Sequence, residues 1–172
     1  ITTLSPFIYL QYTKDLFKFK AKTIYGSAGE HINLMSGYAV KSIAEDNSLW
    51  EYTPLHSSST WVTLAYGKKV VGAIMGGYIK NFGTYEKICA PDPKYIYFQS
   101  NGSPNINQMY RIQPEITYNV GKFTLGLEYM LTAVEYGSDK EGKIVYNDYA
   151  LPTNDLHWVM NHRVQAVVKF TF

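Results

Sequence analysis

The side chains best suited to catalysis lie at two places in the chain. His157 and His162 are close to Asp155 near the C-terminus, and Ser57 to Ser59 form a run of three serines upstream. A serine nucleophile, a histidine base and an aspartate that orients the base would together permit acyl transfer. Such residues are common in polar loops, however, and two-residue alternation places His162 on an apolar face. We therefore predict no catalytic residue and no enzyme.

Metal and phosphate sites have even less support in the sequence. His157 and His162 lack the further Cys or His ligands that a zinc site needs at suitable spacing. Asp139, Glu141 and Asp148 are close in sequence but lack the ligand pattern of a calcium loop. Glycine-rich phosphate loops and basic patches with interleaved aromatic residues are also missing. We predict no metal, no cofactor and no nucleic-acid partner.

The composition indicates a chain that contacts both lipid and water. Aromatic residues make up 16% of the 172 residues and charged residues only 17%, whereas soluble domains average about 25% charged residues. The most apolar run, Val70 to Ile79, is too short for a membrane-spanning helix, which needs about twenty apolar residues. The length suits a single domain over residues 1–172.

Alternation of apolar and polar residues with a period of two predicts an all-β fold. The short connections should be tight turns at Lys14-Asp15, Gly67-Lys68 and Val120-Gly121. Strict alternation of short and long connections is typical of outer-membrane barrels, which have short periplasmic turns and long extracellular loops. Seven strands are expected, at 4–13, 15–26, 58–67, 69–82, 108–119, 121–136 and 157–172, with long connections at 27–57, 83–107 and 137–156.

The two faces of these strands differ in polarity, because successive side chains of a strand point to opposite sides of a sheet. The apolar set predicts a lipid-facing surface made of Phe17, Phe19, Phe123, Leu125, Leu127, Val164, Val168, Phe170 and Phe172. The polar set predicts a pore lining made of Lys18, Lys20, Lys22, Arg111, Gln113, Glu115, Glu128, Arg163 and Lys169. Most of the pore-lining set is basic, which favours the passage of anions.

Three local features leave questions for the structure. Pro114 lies on the apolar face and removes one ladder donor, so a β-bulge is expected there. Strand 69–82 contains so many small residues that its phase stays open. Gly37 to Val40, inside the first long connection, is either a short strand or a segment folded over the pore mouth.

The orientation of the strands predicts a larger barrel. If the last strand runs towards the periplasm, each tight turn lies on the periplasmic side, and the first strand then starts outside. Bacterial single-chain barrels have an even number of strands. The expected seven therefore predict a preceding N-terminal portion with an odd number of strands. An eight-stranded barrel that uses the 30–44 stretch ranks second, because it breaks the alternation of connections.

Seven short motifs resemble, in order, the C-terminal half of DcaP-like trimeric porins. They are Gly37 to Ser42, Glu51 to Pro54, Trp61 to Lys69, Gly77 to Gly83, Tyr110 to Pro114, Gly121 to Tyr129, and Asn161 to Val164. The resemblance implies a sixteen-stranded transmembrane antiparallel β-barrel, a homotrimer and diffusive uptake of small, often anionic, solutes. It implies no catalytic residues.

These patterns predict a porin in the outer membrane of a Gram-negative bacterium, surrounded by membrane lipids and lipopolysaccharide. The terminal Phe172 strand looks like the C-terminal signature that the barrel-assembly machinery recognises. Two other classes stay open: a small eight-stranded structural or adhesive barrel, and an outer-membrane barrel enzyme. The number of strands would separate them, since eight strands leave a filled interior and sixteen leave a channel.

Overall fold

The computed structural model describes residues 3–27, 35, 37–46, 48–98, 105–139 and 141–171. The fold is all-β and antiparallel, as predicted. Apart from strands, the described residues contain one short 3-10 helix, Pro93–Tyr95, and no α-helix. No helix in the described part of the chain has the length and apolar character needed to cross a membrane.

Seven long strands form the main sheet and pair in the order in which they occur along the chain. Two further strands, β3 (Gly37–Ile43) and β6 (Ile96–Phe98), lie outside this path. The main-sheet strands are β1 (Phe7–Lys14), β2 (Phe17–Ser27), β4 (Trp50–Gly67), β5 (Val70–Thr84), β7 (Ile106–Val120), β8 (Phe123–Gly137) and β9 (Leu156–Phe170). All seven predicted strands are therefore present, with ends that differ by up to eight residues.

Connections between the main strands alternate between short and long. The short turns are Asp15-Leu16, Lys68-Lys69 and Gly121-Lys122, each one residue later than predicted. Positive φ angles at Asp15 (53°) and Gly121 (57°) let the chain reverse within two residues. The long connections all join the strands at their other ends. One end of the sheet therefore carries short turns and the other carries long loops.

The first long connection contains the main departure from the predicted strands. β4 begins at Trp50, eight residues before the predicted start, and its first part pairs with β3. β3 also pairs with β6, so a small three-stranded sheet extends beyond the main one. Pro54 lies within β4, at the end of the β3 pairing and opposite Tyr38, where a missing N–H costs little.

Pro114 does not produce the expected bulge. β7 keeps the same register with β8 on both sides of Pro114, and the register shift of this pair lies instead between Ile106 and Gln108. Pairing with Ile74 of β5 is also regular. Proline removes a donor without inserting a residue, so the ladder loses a bond and keeps its register.

The main sheet is open between β1 and β9. In the described residues β1 pairs only with β2, and β9 pairs only with β8. Every neighbouring pair is antiparallel, so the two edge strands of a seven-stranded sheet run in the same direction. An antiparallel closure therefore needs an odd number of further strands between them.

Candidate functional site

The main sheet gathers all nine residues of the predicted pore lining onto one face. Residues that are directly paired share a face, so the register can be followed from strand to strand. Lys18 pairs with Ala65, which pairs with Ala73, which pairs with Glu115. Glu115 pairs with Glu128, and the neighbouring rows bring in Lys20, Lys22, Arg111, Gln113, Arg163 and Lys169. We call this surface the polar face.

Few of the charges on the polar face are neutralised by one another. The ion pairs in the described residues involve Lys41, Lys87 and Lys94, all outside the main sheet. Glu115 lies directly opposite Glu128, a like-charge pair that costs free energy unless water screens it. A wet surface is therefore the natural environment of this face.

Three hydrogen bonds orient charged side chains of the polar face along the sheet. Arg111 donates from Nε to Thr132 Oγ1 at 3.0 Å. Gln113 donates to Glu128 at 2.8 Å, and Arg163 donates to Gln165. These contacts hold the guanidinium and carboxylate groups close to the surface of the sheet, as expected for residues that border an open space.

The opposite face carries the predicted lipid-facing set and is called the apolar face. Phe17, Phe19, Phe123, Leu125, Leu127, Val164, Val168 and Phe170 all lie on it, whereas Phe172 is outside the described residues. The register also settles the phase of β5, placing Ile74 and Tyr78 on the apolar face and Met75 and Gly77 on the polar face. The small residues of β5 gave no phase in sequence because glycine is compatible with either side.

Side-chain exposure shows that the sheet curves towards the polar face. In β4, β5 and β8, residues of the polar face are half-buried while their neighbours on the apolar face are exposed. Ile74 is 45% exposed and Leu127 is 53% exposed, although both are large apolar residues. Side chains on a concave face shade one another and those on a convex face splay apart. The sheet is therefore concave on its polar side and convex on its apolar side.

A cavity of about 590 Å³ lies against the concave face where β4, β5 and β7 meet. Gly77 forms its floor between Trp61 and Arg111, which are its direct partners on either side. Met75 and Met109 complete the wall. Sequence reasoning assigned Arg111 to this face but missed Trp61 and Met109, which are apolar, and Met75, because the phase of β5 was unknown.

Aromatic side chains occur at two levels of the convex face. One level follows the short turns and comprises Tyr12, Phe17, Tyr66, Tyr118, Phe123 and Phe170. The other is nearer the long loops and includes Tyr25, Tyr78, Tyr110 and Trp158. Phe123 packs on Phe170 with centroids 4.7 Å apart, and Tyr110 packs on Trp158 at 5.3 Å.

The candidate catalytic side chains do not come together. His162 lies on the convex face and shares a 2.7 Å hydrogen bond with Tyr129. His157 contacts the carbonyl of Asp155, and Ser57 is buried and donates to the carbonyl of Met35 at 2.8 Å. Among the described residues, no three His, Cys, Asp or Glu side chains converge on a position for a metal ion. Comparisons with family models, curated proteins and solved structures find no match to this chain.

Proposed function

We propose that this chain forms part of the wall of a porin in the outer membrane of a Gram-negative bacterium. The porin admits small hydrophilic solutes by passive diffusion and favours anions. The carrying observation is the distribution of polarity over a curved sheet: charged residues line the concave side and large apolar residues cover the convex side. Soluble barrels have the reverse arrangement, because their interior must be apolar to form a core. A membrane barrel that encloses a water-filled pore has a polar interior and an apolar outer surface, which is the arrangement of this sheet.

The geometry of the turns supports a barrel wall. Followed from strand to strand through the paired residues, the first short turn (Asp15-Leu16) lies opposite residues 117 and 118 of β7. The third short turn comes later on β7, at residues 121 and 122. The offset is about four residues over four strand spacings, which gives a strand tilt of about 35° if the turns lie at one level. Closed barrels need tilts of about 35–45°.

The two aromatic levels support a membrane-spanning band. Phe17 and Tyr25, like Tyr118 and Tyr110, are eight residues apart on one strand, a separation of about 27 Å along the chain. At a tilt of about 35° this corresponds to about 22 Å in height, near the 25 Å apolar band of outer-membrane barrels. Between these levels the convex face carries mainly aliphatic and small residues, including Ile112, Ile116 and Leu127.

The preference for anions rests on the charges of the concave face. Six basic side chains lie on it, namely Lys18, Lys20, Lys22, Arg111, Arg163 and Lys169, against the two carboxylates Glu115 and Glu128. Basic groups along a pore with low-dielectric walls raise the local anion concentration. Repulsion between the lysines of β2 is tolerable because water and salt screen it over about 8 Å.

Partners and assembly follow from this placement and from the resemblance to DcaP-like porins. The convex face contacts lipid and lipopolysaccharide, and the C-terminal segment, whose sequence ends in Phe172, engages the barrel-assembly machinery. The resemblance also supports a sixteen-stranded barrel and a homotrimer. The open edges at β1 and β9 agree with a wall that is completed by further strands.

The test is the reversal potential of the full protein in a planar bilayer under a salt gradient. We expect anion selectivity, and we expect Lys18→Gln, Lys20→Gln and Lys22→Gln together to shift the reversal potential towards zero. Lys41→Gln is the matched control, because Lys41 already pairs with Glu86 at 3.1 Å outside the main sheet. A cation-selective wild-type channel, or a triple variant that behaves like Lys41→Gln, would contradict the proposal.

A further inference from the structure

The long connections pack into one folded unit at the loop end of the sheet. It comprises residues 35–55, 85–98 and 138–155 as far as they are described, and we call it the cap. The cap has its own buried core of Ala39, Leu55, Ile88, Ile96, Tyr146 and Ala150, to which all three connections contribute. The other buried apolar side chains of the described residues are Val40 and Pro152, also in the cap, and Ile24 and Ala133 in the main sheet. Most of the buried apolar core of the described chain is therefore in the cap.

Ion pairs and backbone hydrogen bonds join the three connections. Lys41 in the first pairs with Glu86 in the second at 3.1 Å, and Lys87 in the second pairs with Asp148 in the third at 3.0 Å. The Ile88 N–H also donates to the Asp148 carbonyl at 2.9 Å. Exposed ion pairs each contribute little to stability, so the buried core is the main source of the cap's stability. The ion pairs hold the three connections in their relative positions.

The cap lies on the concave side of the sheet. β4 runs from the cap into the main sheet without a bulge of its own, so its odd-numbered residues keep one direction throughout. Ser57, Thr53 and Leu55 continue the concave face and are buried. On the convex face Tyr52 and Trp50 are exposed, and only His56 is buried, under the rings of Phe82 and Tyr85. The core of the cap is thus built on the side towards which the sheet curves.

The third connection packs on the same side, because its Tyr146 and Ala150 share the buried core with Leu55. Gly83, near the end of β5, has a φ of +73°, and its missing side chain would collide with the Tyr149 carbonyl and with Leu151. Thr84 donates its N–H to the same carbonyl at 2.8 Å. The chain that links β8 to β9 therefore extends past the start of β7 and reaches the end of β5.

We infer that the cap narrows the outer mouth of the channel and sets the largest solute that enters. This inference rests on the proposed porin function. The cap acts by size more than by charge, because several of its charged residues are paired with one another, as in Lys41 with Glu51 and Glu86, and Lys94 with Asp92. Size selection by the cap and charge selection by the strand lysines are then separate properties of one pore.

The experiment compares substitutions of two β4 residues of the cap, the buried Leu55 and the exposed Tyr52, in the full protein reconstituted into bilayers and liposomes. Leu55→Asp places a carboxylate in the buried core and should unfold the cap. Its single-channel conductance should roughly double, larger neutral sugars should enter liposomes, and ion selectivity should stay unchanged. Tyr52→Asp alters an exposed residue of the same cap and should behave like the wild type.

A second variant keeps the inference falsifiable if Leu55→Asp fails to assemble. Replacing residues 141–153 with a short Gly-Ser linker removes Tyr146 and Ala150 from the core but leaves β8 and β9 intact. Heat-modifiable migration confirms that each variant is folded. Folded variants with wild-type conductance and sugar exclusion would overturn the inference while leaving anion selectivity standing. A wild-type protein that does not conduct would refute the porin function and this inference with it.

Discussion

Arginine substitutions at two adjacent valines of β9 provide the sharpest test of which face meets lipid. Val168 lies on the convex face opposite Leu125, and Val167 lies on the concave face opposite Gly126. Both are exposed in the sheet, at 71% and 50% respectively. Water on both faces would make Val168→Arg and Val167→Arg equally mild, within about 0.5 kcal/mol of the wild type.

Lipid on the convex face predicts a large and depth-dependent difference. Val168 is two residues from Phe170, which belongs to the aromatic level near the short turns. This separation is about 5 Å in height, so Val168→Arg should lower the free energy of unfolding by about 2 kcal/mol. Leu127 is four residues from Phe123, about 10 Å in height and near the midplane, so Leu127→Arg should cost about 3–4 kcal/mol. Val167→Arg should cost less than about 1 kcal/mol, because its guanidinium enters a wet space above a glycine.

The assay is reversible folding of the full protein into lipid vesicles under a denaturant titration, which gives the free energy of unfolding by linear extrapolation. The order of cost should be Leu127→Arg, then Val168→Arg, then Val167→Arg. Equal costs at Val167 and Val168, or a larger cost at Val167, would refute the assignment of the convex face to lipid.

Three further predictions follow from the same geometry. Residues 1–172 expressed alone should not give a closed monomeric barrel, because β1 and β9 run parallel; a heat-modifiable, protease-resistant monomer in detergent would contradict this. Glu115→Gln should relieve the like-charge pair with Glu128, stabilise the protein by about 0.5 kcal/mol and strengthen anion selectivity in the reversal potential; a shift towards cations would count against it. Burial raises the pKa of Tyr146 to about 12, so its contribution to cap stability is complete below pH 10 and is lost as the pH rises from about 10 to 12, by at most about 2–3 kcal/mol. Cap unfolding measured at pH 9 and pH 11 should show the loss, and Tyr146→Phe should abolish it; identical curves for the two proteins would disprove it.

The sequence predicted the strands and their faces well because both depend on local chain geometry. A period of two puts Lys18, Lys20 and Lys22 on one face and Phe17 and Phe19 on the other for any extended segment. The same local rule placed the start of β4 at residue 58 instead of Trp50, and it predicted a bulge at Pro114 that is not there. Both differences depend on the pairing partner, since the first part of β4 is a strand because it pairs with β3, and β7 keeps its register with β8 across Pro114.

The cap could not have been derived from local patterns. β6 has three residues and β3 has seven, and they exist because β3 pairs with both β4 and β6 across long stretches of chain. Leu55, Ile96 and Tyr146 form one core although they come from three different connections. Short apolar runs in separate loops carry no signal of a common partner, because burial is a property of the assembled fold.

The sequence by itself determined that this chain is antiparallel β-structure with one basic, polar set of side chains and one apolar set. Alternation alone assigns those sets, since each strand carries the information within its own residues. Only the tertiary structure decided the register that brings Trp61, Gly77 and Arg111 into one row, the curvature that makes the polar face concave, and the side on which the cap lies. These features depend on how distant strands pair and how side chains crowd one another, so they exist only once the whole sheet has formed.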